Sequence, residues 1–109
     1  MSDELITVTT TTDTRELAEK IAHSLVTERL AACVQIIGPL HSVYRWQGEV
    51  ETADEWQCNA KTAASRFDDV AAAIRELHPY DEPEIVAVPL TAATPSFAAW
   101  IRENSTPAN

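Results

Sequence analysis

Two long β-type segments joined by the dipeptide Gln47–Gly48 constrain the fold of this chain more than any other feature. The first segment runs from Cys33 to Trp46 and the second from Glu49 to Thr62. Each is more than twice as long as the usual strand of ~5–6 residues. Because glycine tolerates the positive φ that a tight turn requires, the pattern predicts one long antiparallel hairpin.

The dipeptide Gly38–Pro39 interrupts the first of these segments. Proline cannot donate to a strand ladder, so we expect a bulge or a bend here and not the end of the strand. The returning strand alternates in character, which predicts one apolar and one polar face for the hairpin. Its apolar positions are Trp56, Cys58 and Ala60, and its polar positions are Glu55, Gln57, Asn59 and Lys61.

One strand and one helix precede the hairpin. The segment from Leu5 to Thr11 is rich in β-branched residues and lacks glycine and proline, which predicts a strand. Asp13 and Glu16 have the spacing of a capping box, which predicts a helix from about Thr14 to Arg29. The apolar stripe of this helix, at four-residue spacing, consists of Leu17, Ile21 and Leu25.

Three elements follow the hairpin. A second amphipathic helix is predicted from Ser65 to a stop at His78–Pro79, because the residue before a proline is disfavoured in the α conformation. The β-branched segment Ile85–Leu90 predicts the last strand, and Pro95–Asn104 predicts a terminal helix. The expected apolar face of that terminal helix consists of Phe97, Trp100 and Ile101.

The predicted order is β-α-β-β-α-β with an added C-terminal helix, in a single domain over residues 1–109. Each β-α-β half requires a right-handed crossover, which places both helices on one face of a four-stranded antiparallel sheet. The predicted fold class is therefore α+β, a ferredoxin-like sandwich. A hairpin this long would reach past the helices and expose unpaired edges near Tyr44, Trp46 and Trp56. Since such an edge is an aggregation hazard in a monomer, we expect an obligate homo-oligomer.

Charge and composition exclude several classes of partner. The 17 acidic and 8 basic residues give a formal net charge of -9, whereas a nucleic-acid surface needs clustered Lys and Arg. The same charge argues against anionic membranes, and no segment approaches the roughly 20 apolar residues of a membrane span. The start of the chain, Met1 to Glu4, lacks the features of an export signal. With only two cysteines, Cys33 and Cys58, we expect a cytoplasmic protein with reduced thiols.

The chain contains no recognisable catalytic motif, so we expect a protein that is not an enzyme. Cys33 and Cys58 lie on the two hairpin strands, but a Trp46–Glu49 register places them about four positions out of alignment, which favours packed, free thiols. The same register places His41 opposite Asp54. One histidine and one carboxylate fall short of the three or four ligands of a strong zinc or copper site.

The segment from His78 to Glu84 combines two prolines with a histidine, a tyrosine and three carboxylates. One interpretation is a helix stop followed by a rigid loop. The other is the polar rim of a ligand pocket, and the residues leave both interpretations open. The candidate lining residues of such a pocket are Tyr44, Trp46, Lys61, Tyr80 and Glu84.

Several stretches of the chain resemble the CutA family of divalent-cation tolerance proteins. They occur in the family's order and spacing across residues 5–101, and they are Leu30–Cys33, Ser42–Gly48, Lys61–Thr62, His78–Tyr80 and Pro83–Glu84. The resemblance implies a ferredoxin-like subunit in a tight trimer, in which the long hairpin strands pair between subunits. It also implies a cytoplasmic protein associated with tolerance of copper and other divalent metals, similar in assembly to PII signalling proteins.

The resemblance also implies a set of copper ligands, of which this chain keeps only one. The family's cysteine at the end of strand one, glutamate at the start of strand three and histidine before the His-Pro-Tyr motif correspond here to Thr9, Glu55 and Leu77. Neither Thr9 nor Leu77 is a ligand for a soft metal, so a site of that design should be absent or weak. The candidate metal ligands are therefore Glu55 and His78, the residue that follows Leu77. We expect no required cofactor, and at most a weakly bound divalent cation such as copper.

Two functions follow from these observations. The leading hypothesis is a homotrimeric binding or regulatory module in the tolerance of divalent metals. The alternative is a PII-like small-molecule sensor, or an unrecognised enzyme, that uses an intersubunit pocket lined by the residues named above.

Overall fold

The computed structural model describes residues 3–107, so Met1, Ser2 and the last two residues of the predicted domain lie outside the described residues. The predicted β-α-β-β-α-β order with a terminal helix is confirmed. The elements are β1 (Leu5–Thr12), α1 (Arg15–Thr27), β2 (Cys33–Trp46), β3 (Glu49–Ala63), α2 (Phe67–Leu77), β4 (Val86–Pro89) and α3 (Pro95–Asn104). All strand pairs are antiparallel, and the strands lie in the order β2-β3-β1-β4 across one sheet.

The main core lies between one face of this sheet and the helices α1 and α2. Ile6 and Val8 of β1 and Ala60 of β3 point to this face because alternate residues of a strand share a side. The helices contribute the apolar stripes that the sequence predicts, and their buried members are Ile21, Leu25, Val70 and Ile74. Both helices therefore cover one face and leave the opposite face open.

The terminal helix α3 packs on the opposite face, at one end of the sheet. Ile101 is fully buried there against Leu5 and Ala32. The other two residues of the predicted apolar face, Phe97 and Trp100, stay exposed and stack on each other with ring centroids 5.3 Å apart. The prediction for this face is therefore wrong in two of three positions, because α3 contacts the sheet with the side of the helix that carries Ile101 and Ala98.

The hairpin has the predicted turn and the predicted irregularity. Gln47 and Gly48 both adopt positive φ, 50° and 83°, and Trp46 pairs with Glu49. The register shifts between Ile37 and Leu40, so Gly38–Pro39, a cis peptide, is a bulge within one continuous strand. A methyl group added to Gly38 would lie 2.5 Å from Cδ1 of Trp56. The position of the indole ring therefore requires a residue without a side chain at position 38.

The two cysteines lie three positions out of alignment, one fewer than expected, because the bulge shifts the register by one residue. Cys33 pairs with Lys61, and Cys58 pairs with Ile36. Both cysteines are free, as predicted. Burial raises the pKa of the Cys58 thiol to about 11, and its Sγ–H donates to the carbonyl of Ala18 at 3.4 Å.

The outer half of the hairpin extends beyond the rest of the sheet. Strand β1 ends at Thr12, opposite Trp56, so residues 49–55 of β3 pair only with β2. We call this two-stranded part, Leu40 to Glu55, the distal ribbon. It gives the chain extents of 45 × 27 × 21 Å and a radius of gyration of 14.5 Å, above the ~13 Å typical of a compact chain of this length.

Several predicted boundaries are wrong by a few residues. Helix α1 begins at Arg15 with Thr14 as its N-cap, not Asp13, and ends at Thr27 instead of Arg29. Helix α2 begins at Phe67 after a 3-10 turn over Ala64–Arg66, so Ser65 lies in that turn. Strand β4 is shorter than predicted, and no helix in the described residues is long and apolar enough to cross a membrane.

The two ends of the described chain meet at the end of the sheet opposite the hairpin turn. The carbonyl of Asp3 accepts a hydrogen bond from Arg102 Nε of α3 at 3.0 Å. The Asp3 carboxylate accepts from the backbone N–H of Ser65 at 3.3 Å and from its hydroxyl. Asp3 therefore connects the start of the chain to both α3 and the 3-10 turn.

Candidate functional site

A cleft of about 690 Å³ lies between the distal ribbon and the segment that follows α2. The ribbon supplies one wall, and residues 80–84 supply the other. The lining residues are Thr11, Ser42, Val43, Tyr44, Arg45, Trp46, Glu55, Tyr80, Asp81, Glu82 and Glu84. Its volume is within the range of sites that bind small molecules.

His78 determines how the second wall is positioned. The chain leaves the α conformation at His78, since the next residue is proline. The ring Nε2 donates to the carbonyl of Thr11 at 2.7 Å, and Nδ1 accepts from the backbone N–H of Tyr80 at 3.3 Å. Both nitrogens of this buried ring are therefore used in holding the segment against the end of β1, and the Tyr80 ring packs on the imidazole at 4.5 Å between centroids.

Tyr80 connects this wall to the ribbon through Glu55. The phenol donates a hydrogen bond to Oε2 of Glu55 at 3.1 Å. Burial, followed by the hydrogen bond to Glu55 and by its negative charge, holds the pKa of Tyr80 well above its usual value of 10. The phenol therefore remains a neutral donor at physiological pH.

Glu55 is a buried carboxylate without a cationic partner. Its residue is only 6% exposed, and none of the ion pairs among residues 3–107 includes it. The second oxygen, Oε1, receives no hydrogen bond from those residues and keeps access to solvent. Because burying a carboxylate without a cation is costly, this open oxygen is the atom of the cleft at which a cationic or hydrogen-bond-donating ligand would gain most.

Four of the five predicted pocket residues line this one cleft, namely Tyr44, Trp46, Tyr80 and Glu84. Lys61, the fifth, does not line it. Its ammonium donates to Oε1 of Gln35 at 2.8 Å. Lys61 shares a face of β3 with Glu55 but lies six residues away, roughly 20 Å along the strand.

The two predicted metal ligands lie on either side of Tyr80. Glu55 lines the cleft, whereas His78 lies behind it with both ring nitrogens in hydrogen bonds. Thr9 donates to Oδ1 of Asn59 at 2.8 Å. Within residues 3–107, no three His, Cys, Asp or Glu side chains are grouped as metal ligands would be.

The other predicted pair, His41 and Asp54, forms on the opposite side of the ribbon. Nδ1 of His41 lies 3.0 Å from Oδ1 of Asp54, and both side chains are exposed. Alternation along the paired strands places these two residues on one side, whereas Tyr44, Trp46 and Glu55 share the other. An exposed pair of this kind contributes little to stability.

Sequence reasoning does not single out four of the lining residues, which are Thr11, Ser42, Val43 and Arg45. Thr11 could be found from strand alternation, because it pairs with Gln57 on the open face. The other three lie on the ribbon within two residues of Tyr44. The lining as a whole carries the four carboxylates of Glu55, Asp81, Glu82 and Glu84 against one guanidinium, Arg45.

Comparison with known proteins finds strong similarity over nearly the whole chain. The family model described as CutA1 divalent ion tolerance protein matches residues 6–104. The Divalent-cation tolerance protein CutA of Thermus thermophilus is 42% identical over 103 residues, which cover 94% of this chain and 98% of that protein. The Protein CutA, chloroplastic of Arabidopsis thaliana is 38% identical over 93% of this chain, which spans only 55% of that longer protein. The solved Thermus thermophilus structure superposes with a TM-score of 0.91 over 94% of this chain and 99% of that one.

Proposed function

The chain belongs to the CutA1 divalent ion tolerance protein family, and from this premise we propose that it is a homotrimeric binding or regulatory module in the response to divalent metal ions such as copper. It has no required cofactor in this proposal, and it is not an enzyme. We place it in the cytoplasm. That placement is an expectation for this chain, since the Arabidopsis relative is named as chloroplastic.

The observation that carries the cation function is the charge of the cleft. Its four carboxylates against one guanidinium produce a negative local field, which adds to the net charge of -9. Glu55 supplies an oxygen that is free to bind a cation. His78 would have to release the Thr11 carbonyl before it could join Glu55, so binding of copper or zinc is expected to be weak.

The distal ribbon supports assembly into a homo-oligomer. Among the described residues, β2 lies at the edge of the sheet, and residues 49–55 of β3 have no second neighbour. Each face of the ribbon carries exposed large apolar side chains among its polar residues, a feature of surfaces that bind other proteins. Val43 and Val50 are 65% and 62% exposed on one face, and Tyr44 and Trp46 are 45% and 40% exposed on the other. Pairing of ribbons between copies would cover the edges and the side chains of Val43 and Val50, while Tyr44 and Trp46 remain at the cleft.

Light scattering after gel filtration and titration calorimetry test the two parts separately. We expect a mass of about 36 kDa, three times the 12.0 kDa subunit, that persists on dilution. A monomer in dilute solution would contradict the assembly. Titration with Cu(II) or Zn(II) should give a Kd no tighter than micromolar, weakened in Glu55→Gln.

Asp54→Asn is the matched control for the metal titration, because it removes the same charge from the same strand on the opposite side of the ribbon. Its Kd should stay close to that of the unmodified protein. A tight, stoichiometric copper site, or equal losses in both variants, would contradict a weak cation site at Glu55.

A second candidate is a small-molecule sensor, or an unrecognised enzyme, that uses the same cleft. The observation that favours it is the presence of Tyr44, Trp46, Tyr80 and Glu84 around a single cavity. A thermal-shift screen of nucleotides and metabolites tests it. A ligand that raises the melting temperature, and whose effect is lost in Trp46→Leu, would support the sensor. A screen without stabilising ligands would count against it.

A further inference from the structure

We propose that the cleft binds an organic ammonium ion, with the Glu55 carboxylate as its counter-ion and the rings of Tyr44 and Trp46 as its walls. This inference rests on the second candidate function, a small-molecule site in this cleft. It does not depend on the binding of metal ions.

The first support is the state of Glu55. Tyr80 engages Oε2 at 3.1 Å, so the carboxylate is held in one orientation while Oε1 stays available. Arg45 also lines the cleft, yet it makes no ion pair with Glu55 or with the other carboxylates of residues 3–107. A buried carboxylate that the protein leaves without a cation is satisfied when a ligand provides one.

The second support comes from the aromatic side chains. Tyr44 and Trp46 lie on the same side of the ribbon as Glu55 and are 45% and 40% exposed. Aromatic faces attract ammonium groups through the ring quadrupole, and tryptophan is the most effective of them. The apolar carbons of an organic cation would also pack against these rings. A hydrated metal ion makes no such apolar contact.

The third support is the chemistry that the cleft lacks. Copper and zinc sites need three or four ligand atoms in close geometry, and the described residues contain no such group. The phenol of Tyr80 keeps its proton for Glu55 and offers no anionic oxygen to a metal. An ammonium ion needs only one oriented acceptor and a suitable surface, which the cleft provides.

The acidic residues of the second wall indicate that the ligand can carry a second positive group. Asp81, Glu82 and Glu84 line the side of the cleft opposite the ribbon. A volume of about 690 Å³ leaves room for a chain with a second positive group directed to these carboxylates. An alkyl diamine is therefore the appropriate probe.

The test is calorimetric titration of the purified full chain with 1,4-diaminobutane, and with 1,4-butanediol as its neutral isostere. We expect saturable binding of the diamine and none of the diol. Glu55→Gln should weaken diamine binding at least tenfold, and Trp46→Leu at least threefold. Asp54→Asn should change it less than twofold, since it removes the same charge outside the cleft.

The variants are compared only after light scattering and thermal melting show an unchanged assembly and fold. If Glu55→Gln fails this check, quenching of tryptophan fluorescence by the diamine in the unmodified chain, and its loss in Trp46→Leu, provides the second measurement. Absence of diamine binding at 10 mM would overturn the proposal. Equal affinity for the diol, or equal losses in Glu55→Gln and Asp54→Asn, would also overturn it.

A competition experiment separates this proposal from the two functions above. If Cu(II) binds at Glu55 and the diamine does not, the metal function stands and this inference fails. If the diamine binds and Cu(II) neither binds nor displaces it, this inference stands and the metal function fails. If a neutral or anionic metabolite binds in the cleft instead, the sensor function stands without the ammonium ligand.

Discussion

Tyr80 donates a hydrogen bond to Glu55 at 3.1 Å, and this contact joins two segments that lie 25 residues apart. One belongs to the loop after α2 and the other to the ribbon. The bond engages one oxygen of a buried carboxylate that lines the cleft, and the other oxygen receives no hydrogen bond from the described residues. The phenol of Tyr80 therefore links the two walls of the cleft directly, in addition to the contact of His78 with the end of β1.

Replacement of Tyr80 by Phe should destabilise the fold, because it leaves Oε2 of Glu55 buried without a donor. A loss of about 1–3 kcal/mol in the free energy of unfolding is expected for such a group. Urea unfolding at a fixed protein concentration measures it. The double variant with Glu55→Gln should lose less than the sum of the two single losses, because the two residues share one interaction. Additive losses would contradict the coupling.

The same contact predicts how stability depends on pH. The pKa of Tyr80 is raised in the folded state by burial and by Glu55, so the folded protein retains the phenolic proton when the unfolded chain has lost it. The contribution of Tyr80 is therefore fully present below pH 10 and declines as the pH rises above 10. The stability difference between the unmodified chain and Tyr80→Phe should be constant from pH 7 to 9 and should fall above pH 10. A constant difference up to pH 11 would contradict the raised pKa.

Gly38→Ala should destabilise the hairpin by about 1–3 kcal/mol, the usual cost of an overpacked site. The new methyl group would lie 2.5 Å from Cδ1 of Trp56 and 3.1 Å from the carbonyl oxygen of Glu55. The matched variant is Gly48→Asn, since Gly48 has a φ of 83° and nothing within 4 Å of the added atom, and asparagine tolerates positive φ. Chemical unfolding of both variants is the measurement. Equal stability for Gly38→Ala and the unmodified chain would show that Trp56 does not occupy this position.

The N-cap of α1 allows a test between two neighbouring residues. Thr14 accepts a hydrogen bond from the backbone N–H of Leu17 at 3.1 Å, whereas the exposed Asp13 does not cap the helix. Thr14→Ala should therefore cost about 1 kcal/mol, and Asp13→Ala should change the stability by less than about 0.5 kcal/mol. Thermal melting of the two variants distinguishes them, and the reverse order would restore Asp13 as the cap.

The two thiols should differ in reactivity. Cys58 is buried, and the raised pKa of about 11 keeps it protonated, whereas the thiolate is the reactive form. Labelling of the native Cys33→Ser variant with a disulfide reagent at pH 8 should therefore modify no thiol, and labelling in urea should modify one. Cys58→Ser is the complementary variant. Rapid labelling of Cys58 in the native state would contradict its burial.

The sequence predicts the order of elements well because several signals agree locally. Gly48, the alternation of β3 and the proline at position 79 each define one boundary, and the structure confirms the hairpin turn and the end of α2. The sequence does not predict which of two adjacent polar residues caps α1. Asp13 and Thr14 both suit the role, and the choice depends on where β1 ends, which is set by its pairing with β3.

The candidate site is predicted less completely, because its geometry depends on contacts between distant segments. Strand alternation places Glu55 and Lys61 on one face, but it does not reveal that only Glu55 lies under the loop after α2. The burial of Glu55 comes from Tyr80 and its neighbours, whose path past Thr11 is fixed by the ring of His78. The prolines of the His78–Glu84 segment indicate a rigid loop. They do not indicate which part of the sheet this loop crosses.

The meeting of Asp3 with Arg102 has a practical consequence for handling the molecule. These residues lie at the Ala63 end of β3, and the Gln47–Gly48 turn lies beyond its other end. A fluorophore or an affinity tag attached near residue 3 or residue 107 would therefore lie at the end of the molecule opposite the hairpin turn. Immobilised or dye-labelled protein should keep the ribbon and its acidic cavity free, so that surface-based and optical titrations can be carried out from either terminus.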